Sequence, residues 1–242
     1  MKRRQTLSLQ HLLALGRPLV VGTLHDASGL KVIKAISADF EASRQQRKLP
    51  LDLLEARLDS LALRGIPEIW PLPVIATARH PDEGGKGGLS PARRRNLLEE
   101  ALPWASALDI ELRSAREFAP VIASAHQMGR TVILSHHDFS LTPPLSDLKK
   151  LAARAADHGA DLFKVATVLR EQRDLLRLIE FQMGEKKVQV TTMGMGAAGR
   201  FSRIVLCGFG APLCYGWLGK PQVPGQWPAL HLAGLLAGVI PA

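Results

Sequence analysis

The chain has 242 residues, 46% of them hydrophobic, with 31 Lys and Arg against 22 Asp and Glu and a formal net charge of +9. That length suits one large α/β domain over residues 1–242, with residues 1–17 as an N-terminal extension, and no Pro/Ser/Gly linker marks a second domain. The basic balance favours an anionic partner, but the charge is scattered and aromatics are only 5%, which argues against nucleic acid.

Short β-branched or apolar runs recur along the chain, each followed by a polar or amphipathic stretch. Leu12 to Gly22 is broken by Gly16, Arg17 and Pro18, so it lacks a signal peptide's apolar core. Strands are predicted at Leu19–Leu24, Leu51–Arg57 and Leu72–Ala78. Only Ser60 to Pro71, with Gly65 and Pro67, separates the second from the third, so the crossover there is short. Ser90-Pro91 opens a helix, serine as N-cap and proline in the first turn. A fourth strand is predicted at Ala107–Glu111. Phe118, Val121, Ile122, Ala125 and Met128 then share a helix face. A fifth strand, Thr131–Ser135, leads through Thr142-Pro-Pro144 into a helix with Leu145, Leu148, Leu151 and Ala155 on one side. Leu162–Thr167, Val188–Met193 and Leu213–Leu218 complete the set. Eight strands alternating with helices imply a single eight-stranded parallel βα (TIM) barrel; an open doubly wound sheet is the rival. No run reaches the length of a membrane span. Cys207 and Cys214 read as buried hydrophobes; they make neither a zinc pattern nor a disulfide framework, in keeping with a reduced, cytoplasmic setting.

Polar groups collect at one end of nearly every strand: Glu55, Arg57 and Asp59, then Arg79, then Asp109 and Glu111, then His136-His-Asp138. Reactive groups of a barrel belong at that end. Lys164 is a lone cation in an apolar strand. Burial favours its neutral amine, the form that attacks a ketone, and a histidine one strand earlier can move the proton. That pairing points to Schiff-base chemistry, which needs no metal or dissociable cofactor. Neighbours on a strand face opposite ways, so His137 is placed towards the barrel axis and His136 outward, which excludes a shared ion. His25, His126 and His158 fall in loops or on helix surfaces and receive no role. Arg93 to Arg95 read as a solvated helix face. Gly194-Met-Gly-Ala-Ala-Gly199 matches a dinucleotide fingerprint, but the chain has no Asp or Glu after Glu185 to hold a ribose. These glycines are expected to bring backbone close to the substrate instead. Met193 and Met195 are core residues or pocket walls.

Several separated motifs together resemble the type I 3-dehydroquinate dehydratase family, the Schiff-base enzymes of the shikimate pathway. They are Leu54-Glu-Ala-Arg-Leu-Asp59, Ala78-Arg79 with Glu83-Gly-Gly85, Asp109-Ile-Glu111, Ser135-His-His-Asp-Phe139, Phe163-Lys-Val-Ala166, Met193-Gly-Met-Gly196 with Ser202-Arg203, and Pro224-Gly-Gln226. The resemblance implies loss of water from 3-dehydroquinate to give 3-dehydroshikimate. It implies an imine on Lys164, His137 as general base and then acid, and Glu83 orienting His137. Glu55, Arg57 and Arg79 would hold ring hydroxyls, and Arg203 and Gln226 the carboxylate. The small-molecule substrate is the partner implied, together with a homodimer. The chain departs from the family at Gln222, where many members carry a small hydroxyl residue beside the substrate carboxylate; the amide also donates but is longer. Another imine-forming barrel enzyme of the class I aldolase kind, or an inactive protein that binds a cyclic acid, remain the alternative readings.

Overall fold

The computed structural model describes residues 8–42, 50–61 and 70–240, with the side chains of residues 39–42 outside the description. Strands and helices alternate: α1 Leu9–Leu13, β1 Leu19–Leu24, α2 Ala27–Ala42, β2 Leu53–Arg57, β3 Val74–Thr77, α3 Pro91–Ala101, β4 Ala107–Glu111, α4 Ala119–Gln127, β5 Thr131–Asp138, α5 Leu145–Asp157, β6 Leu162–Val168, α6 Gln172–Gly184, β7 Gln189–Met195, α7 Gly199–Gly208, β8 Leu213–Trp217 and α8 Ala229–Val239. All strand pairs are parallel, in the order β7-β6-β5-β4-β3-β2-β1-β8. The sheet curls into a nearly closed barrel. At the seam between its edges the Thr191 hydroxyl donates to the Leu213 carbonyl at 2.9 Å and accepts the Leu213 N–H at 3.3 Å.

The expected eight strands are all present; β1 and β4 match end for end, and the other six have shifted ends. Asp52 takes the Val20 N–H and pairs with Arg17, so β2 begins at Leu53 rather than Leu51. β5 runs past Ser135 because His136, His137 and Asp138 continue the ladder against Val165, Ala166 and Thr167 of β6. Ser90 caps α3 by accepting the Arg93 N–H, as its Ser-Pro signature predicts. Met128 does not join the buried face of α4; it lies past the helix end and is 46% exposed. Most of the short crossover at Ser60–Pro71 falls outside the described residues.

Nearly every strand residue is buried, because helices cover the outside and side chains fill the inside. The inward positions change character up the barrel. Leu19, Val21, Leu53, Ile75, Ala107, Ile133, Leu162 and Leu213 pack the lower layers, with Leu9 of α1 buried among them. One step of two residues higher, the same strand faces carry Thr23, Glu55, Thr77, Asp109, Ser135 and Lys164. The apolar floor excludes water beneath these groups; burying each large aliphatic side chain there contributes about 1.5–3 kcal/mol.

Candidate active site

The upper layer opens into a cavity of about 720 Å³ including its mouth. Lys164, His137, Glu83, Glu55, Arg57, Arg79, Arg203, Gln222 and Gln226 all line it. The nine residues expected at the site therefore converge from β2, β5, β6, α7 and the loops after β3 and β8.

Lys164 is 3% exposed. Its surroundings differ from the apolar walls expected for it. The ammonium contacts the Asp109 carboxylate directly, lies 3.7 Å from Glu55 Oε1, and sits over the Tyr215 ring at 4.5 Å from the centroid. The two anions come from β4 and β2, strands that local sequence around Lys164 does not report. Asp109 also accepts two hydrogen bonds from Arg79, each 3.0 Å, and one from Ser135 at 2.6 Å. Burial disfavours its charged form, but Arg79 and Lys164 outweigh that and hold the carboxyl well below the usual range. Asp109 is thus a permanent anion beside the amine. Glu55 is fixed from both sides, by the hydroxyls of Thr23 and Thr77 at 3.0 Å each.

Ser135 is level with Lys164 on the adjacent strand, and His137 lies one inward step above Ser135. His137 Nδ1 is 2.9 Å from Glu83 Oε2, the oxygen that also accepts the His137 backbone N–H at 3.0 Å. With Nδ1–H donated to Glu83, Nε2 is left with a free lone pair. Burial, then Arg79 and Lys164, push His137 well below its ordinary pKa, so the resting imidazole is neutral. Burial and the nearby Glu111 raise the Glu83 carboxyl to about 7. The pair is a base held in one tautomer by a carboxylate that titrates near neutrality. His136 is half-buried on the other face of β5, as alternation requires.

The arginines divide into two kinds. Arg57 donates twice to Asp59 at 2.9 Å each, and to Gln222 Oε1 at 2.8 Å. Arg79 donates to Asp109, Glu111 and Ser135. Arg203 is 3% exposed and donates to the Tyr215 and Gly225 carbonyls at 3.0 and 3.2 Å. Among the described residues no carboxylate pairs with it. A buried guanidinium without a counter-ion, at the wall of a cavity, is matched to an anion from outside.

Gln226 organises the loop after β8: its Oε1 accepts the backbone N–H of Gln222 at 2.8 Å and of Val223 at 3.4 Å. Gly199, at the end of the glycine-rich run, meets Gly225 of that loop backbone to backbone; a Cβ there would stand 3.1 Å from the Gly225 Cα. The run thus seats the loop that carries Gln222 and Gln226. Met193 and Met195 are buried and line the cavity.

Sequence reasoning missed three features. His25 lies in a loop but is 6% exposed and faces the cavity. Arg94 is no solvated residue: it is 1% exposed, contacts Glu111, donates to the Ala78 carbonyl and stacks on Phe118. Asp59, besides gripping Arg57, accepts the backbone N–H of Arg79 and of Lys86, fastening the loop after β3.

Residues 32–238 match the model of the family described as Type I 3-dehydroquinase. A 3-dehydroquinate dehydratase of Methanosarcina barkeri is 34% identical over 210 residues, 79% of this chain and 87% of that protein. One from Staphylococcus epidermidis is 30% identical, covering 85% of this chain and 90% of its own length. The crystal structure of the type I enzyme of Clostridium difficile, solved with covalently modified comenic acid, is 26% identical. It superposes with a TM-score of 0.75 over 93% of this chain and 94% of that one.

Proposed function

Since the chain belongs to the type I 3-dehydroquinase family, it is a hydro-lyase that removes water from 3-dehydroquinate to give 3-dehydroshikimate, and we propose that it does so through an imine on Lys164 with His137 carrying the proton. The observation that carries this reading is the placement of a buried amine and a neutral imidazole on adjacent strands, facing one cavity. The covalent modification in the Clostridium difficile relative is in keeping with it.

In this mechanism the Lys164 ammonium sheds one proton, its Nζ attacks the ring ketone, and that proton returns as the ketone oxygen leaves as water, so the imine formed is protonated. The protonated imine keeps the place of the ammonium beside Asp109, which stabilises its charge. Electron withdrawal by that cation makes the hydrogen on the neighbouring ring carbon acidic. His137 Nε2 removes it, leaving an enamine, and the imidazolium is stabilised through Nδ1–H by Glu83. The enamine expels the β-hydroxyl, which takes the proton back from His137 and departs as water. Hydrolysis of the conjugated imine frees the product and the amine. Arg203 pairs with the substrate carboxylate, with Gln226 beside it. Glu55 and Arg57 face the ring hydroxyls. Arg79 has its donors occupied by Asp109, Glu111 and Ser135, so we assign it the positioning of Asp109 in addition.

Borohydride tests the imine. Reduction in the presence of 3-dehydroquinate should inactivate the protein and leave a mass adduct on Lys164. A Lys164→Ala variant that still turned substrate over would remove the mechanism. We further propose one barrel domain acting as a homodimer in the cytoplasm, a setting that suits the unpaired buried thiols of Cys207 and Cys214. Analytical ultracentrifugation reads the assembly state. Among the described residues no helix is long and apolar enough to cross a membrane.

A further inference from the structure

We propose that His25 is a substrate-reading residue: its Nδ1 accepts a hydrogen bond from a ring hydroxyl at the Arg57 side of the cavity, selecting rings that carry that hydroxyl. This rests on the substrate assignment above. His25 stands two residues beyond Thr23, just past the end of the strand that pairs Thr23 with Glu55. Its side chain is buried and lines the cavity, yet Nδ1 has no hydrogen-bond partner. An unmatched buried nitrogen is costly, so it is matched when the cavity fills.

The surroundings fix which partner suits it. Asp26 Oδ2 is 3.7 Å from Nε2, which favours the proton on that nitrogen and leaves Nδ1 a bare acceptor. Asp26 and Asp59 oppose Lys86 and Arg57 around the ring, while burial is the largest influence and keeps the imidazole neutral. A carboxylate would set lone pair against lone pair at Nδ1. A hydroxyl brings a hydrogen. A second unused group lines the same cavity: Gln222 Nε2 is also buried and unpartnered, its Oε1 already bound to Arg57. A neutral imidazole acceptor matches an alcohol, because neither the carboxylate nor the ketone of the substrate has a hydrogen to give. The carboxylate has its own match in Arg203.

His25→Leu removes the acceptor at similar bulk, and His25→Asn restores one, since Asn Oδ1 falls near the Nδ1 position. Both are assayed with 3-dehydroquinate and with an analogue lacking the two ring hydroxyls beyond the ketone. The expected result is a KM about tenfold higher for His25→Leu, the scale of one lost buried hydrogen bond. Its kcat should stay within about threefold, and His25→Asn should recover most of the loss. For the dideoxy analogue wild type and His25→Leu should have equal KM. An unchanged KM for 3-dehydroquinate overturns the proposal, and so does an equal loss with the dideoxy analogue, which would mark a merely structural role. Should His25→Leu not fold, His25→Asn decides alone, by whether it still prefers the hydroxylated ring over the analogue as wild type does. Borohydride trapping on Lys164 is run in parallel: failure of wild type to trap counts against the imine, whereas intact trapping with an unaltered KM counts against His25.

Discussion

One oxygen of Glu83 holds His137 twice, at its ring Nδ1 and at its backbone N–H. The imidazole is therefore locked in position and tautomer by a single carboxylate. That carboxylate is ionised only above about pH 7. Protonation below that value removes the anion that stabilises an imidazolium. The rate of dehydration should accordingly fall as pH drops through about 7 and be retained above it. Glu83→Gln should lower kcat by about tenfold and abolish this limb. A pH–rate profile in which the limb persists in Glu83→Gln would assign it to another group.

His137→Ala should separate the two halves of the reaction. Imine formation needs Lys164, so borohydride trapping should continue, while dehydration slows about a hundredfold or more. Single-turnover absorbance of the conjugated enone, beside intact-mass analysis, reads both. Equal loss of trapping and turnover would move His137 into the imine step.

Asp109→Asn should be a folding variant before it is a kinetic one. Arg79 and Lys164 would lose the anion they share, and breaking such a buried pair costs about 3–5 kcal/mol. The sign with pH follows from the depressed carboxyl of Asp109. Its contribution is complete above the ordinary aspartate pKa and is lost as pH falls towards the lower folded value. Urea unfolding should thus show the largest gap between wild type and variant at pH 7, shrinking below about pH 4.

Arg203→Met should raise KM for 3-dehydroquinate by about tenfold to a hundredfold, the worth of a charge-assisted hydrogen bond to a carboxylate. Steady-state kinetics measures it. An unaltered KM would place the carboxylate elsewhere in the cavity.

Leu9→Ala tests the floor of the barrel. Leu9 is fully buried beneath the strands, and its truncation should cost about 2–5 kcal/mol by thermal or urea unfolding. A loss near zero would mean that α1 leaves the floor without consequence.

The strands were legible because a parallel strand covered on both faces reads as a continuous apolar run, and Leu162 to Val168 with its one lysine is such a run. The residues that line the cavity were legible for a related reason: ionisable groups interrupt those runs at the same end of the barrel. What sequence could not show was pairing across strands. Arg94 sits in a triplet of arginines, and only the distant Glu111 on β4 explains its burial. The anions beside Lys164 come from β2 and β4. His25-Asp26 has the composition of a solvated turn. Besides Asp26, the charged groups that act on the buried His25 ring, Lys86, Arg57 and Asp59, all come from distant parts of the chain.

The Thr191 hydroxyl is the stitch across the one edge-to-edge joint of the cylinder. Every other neighbouring pair of strands is laced by main-chain amides along its length. This joint is where the tube widens or narrows at least expense, and α7 straddles it. Arg203 rides on that helix, while β5 and β6, which carry the imidazole and the amine, are paired with each other along their length. The imidazole and the amine thus stand on continuously paired strands, while the guanidinium proposed to grip the anion stands over the seam.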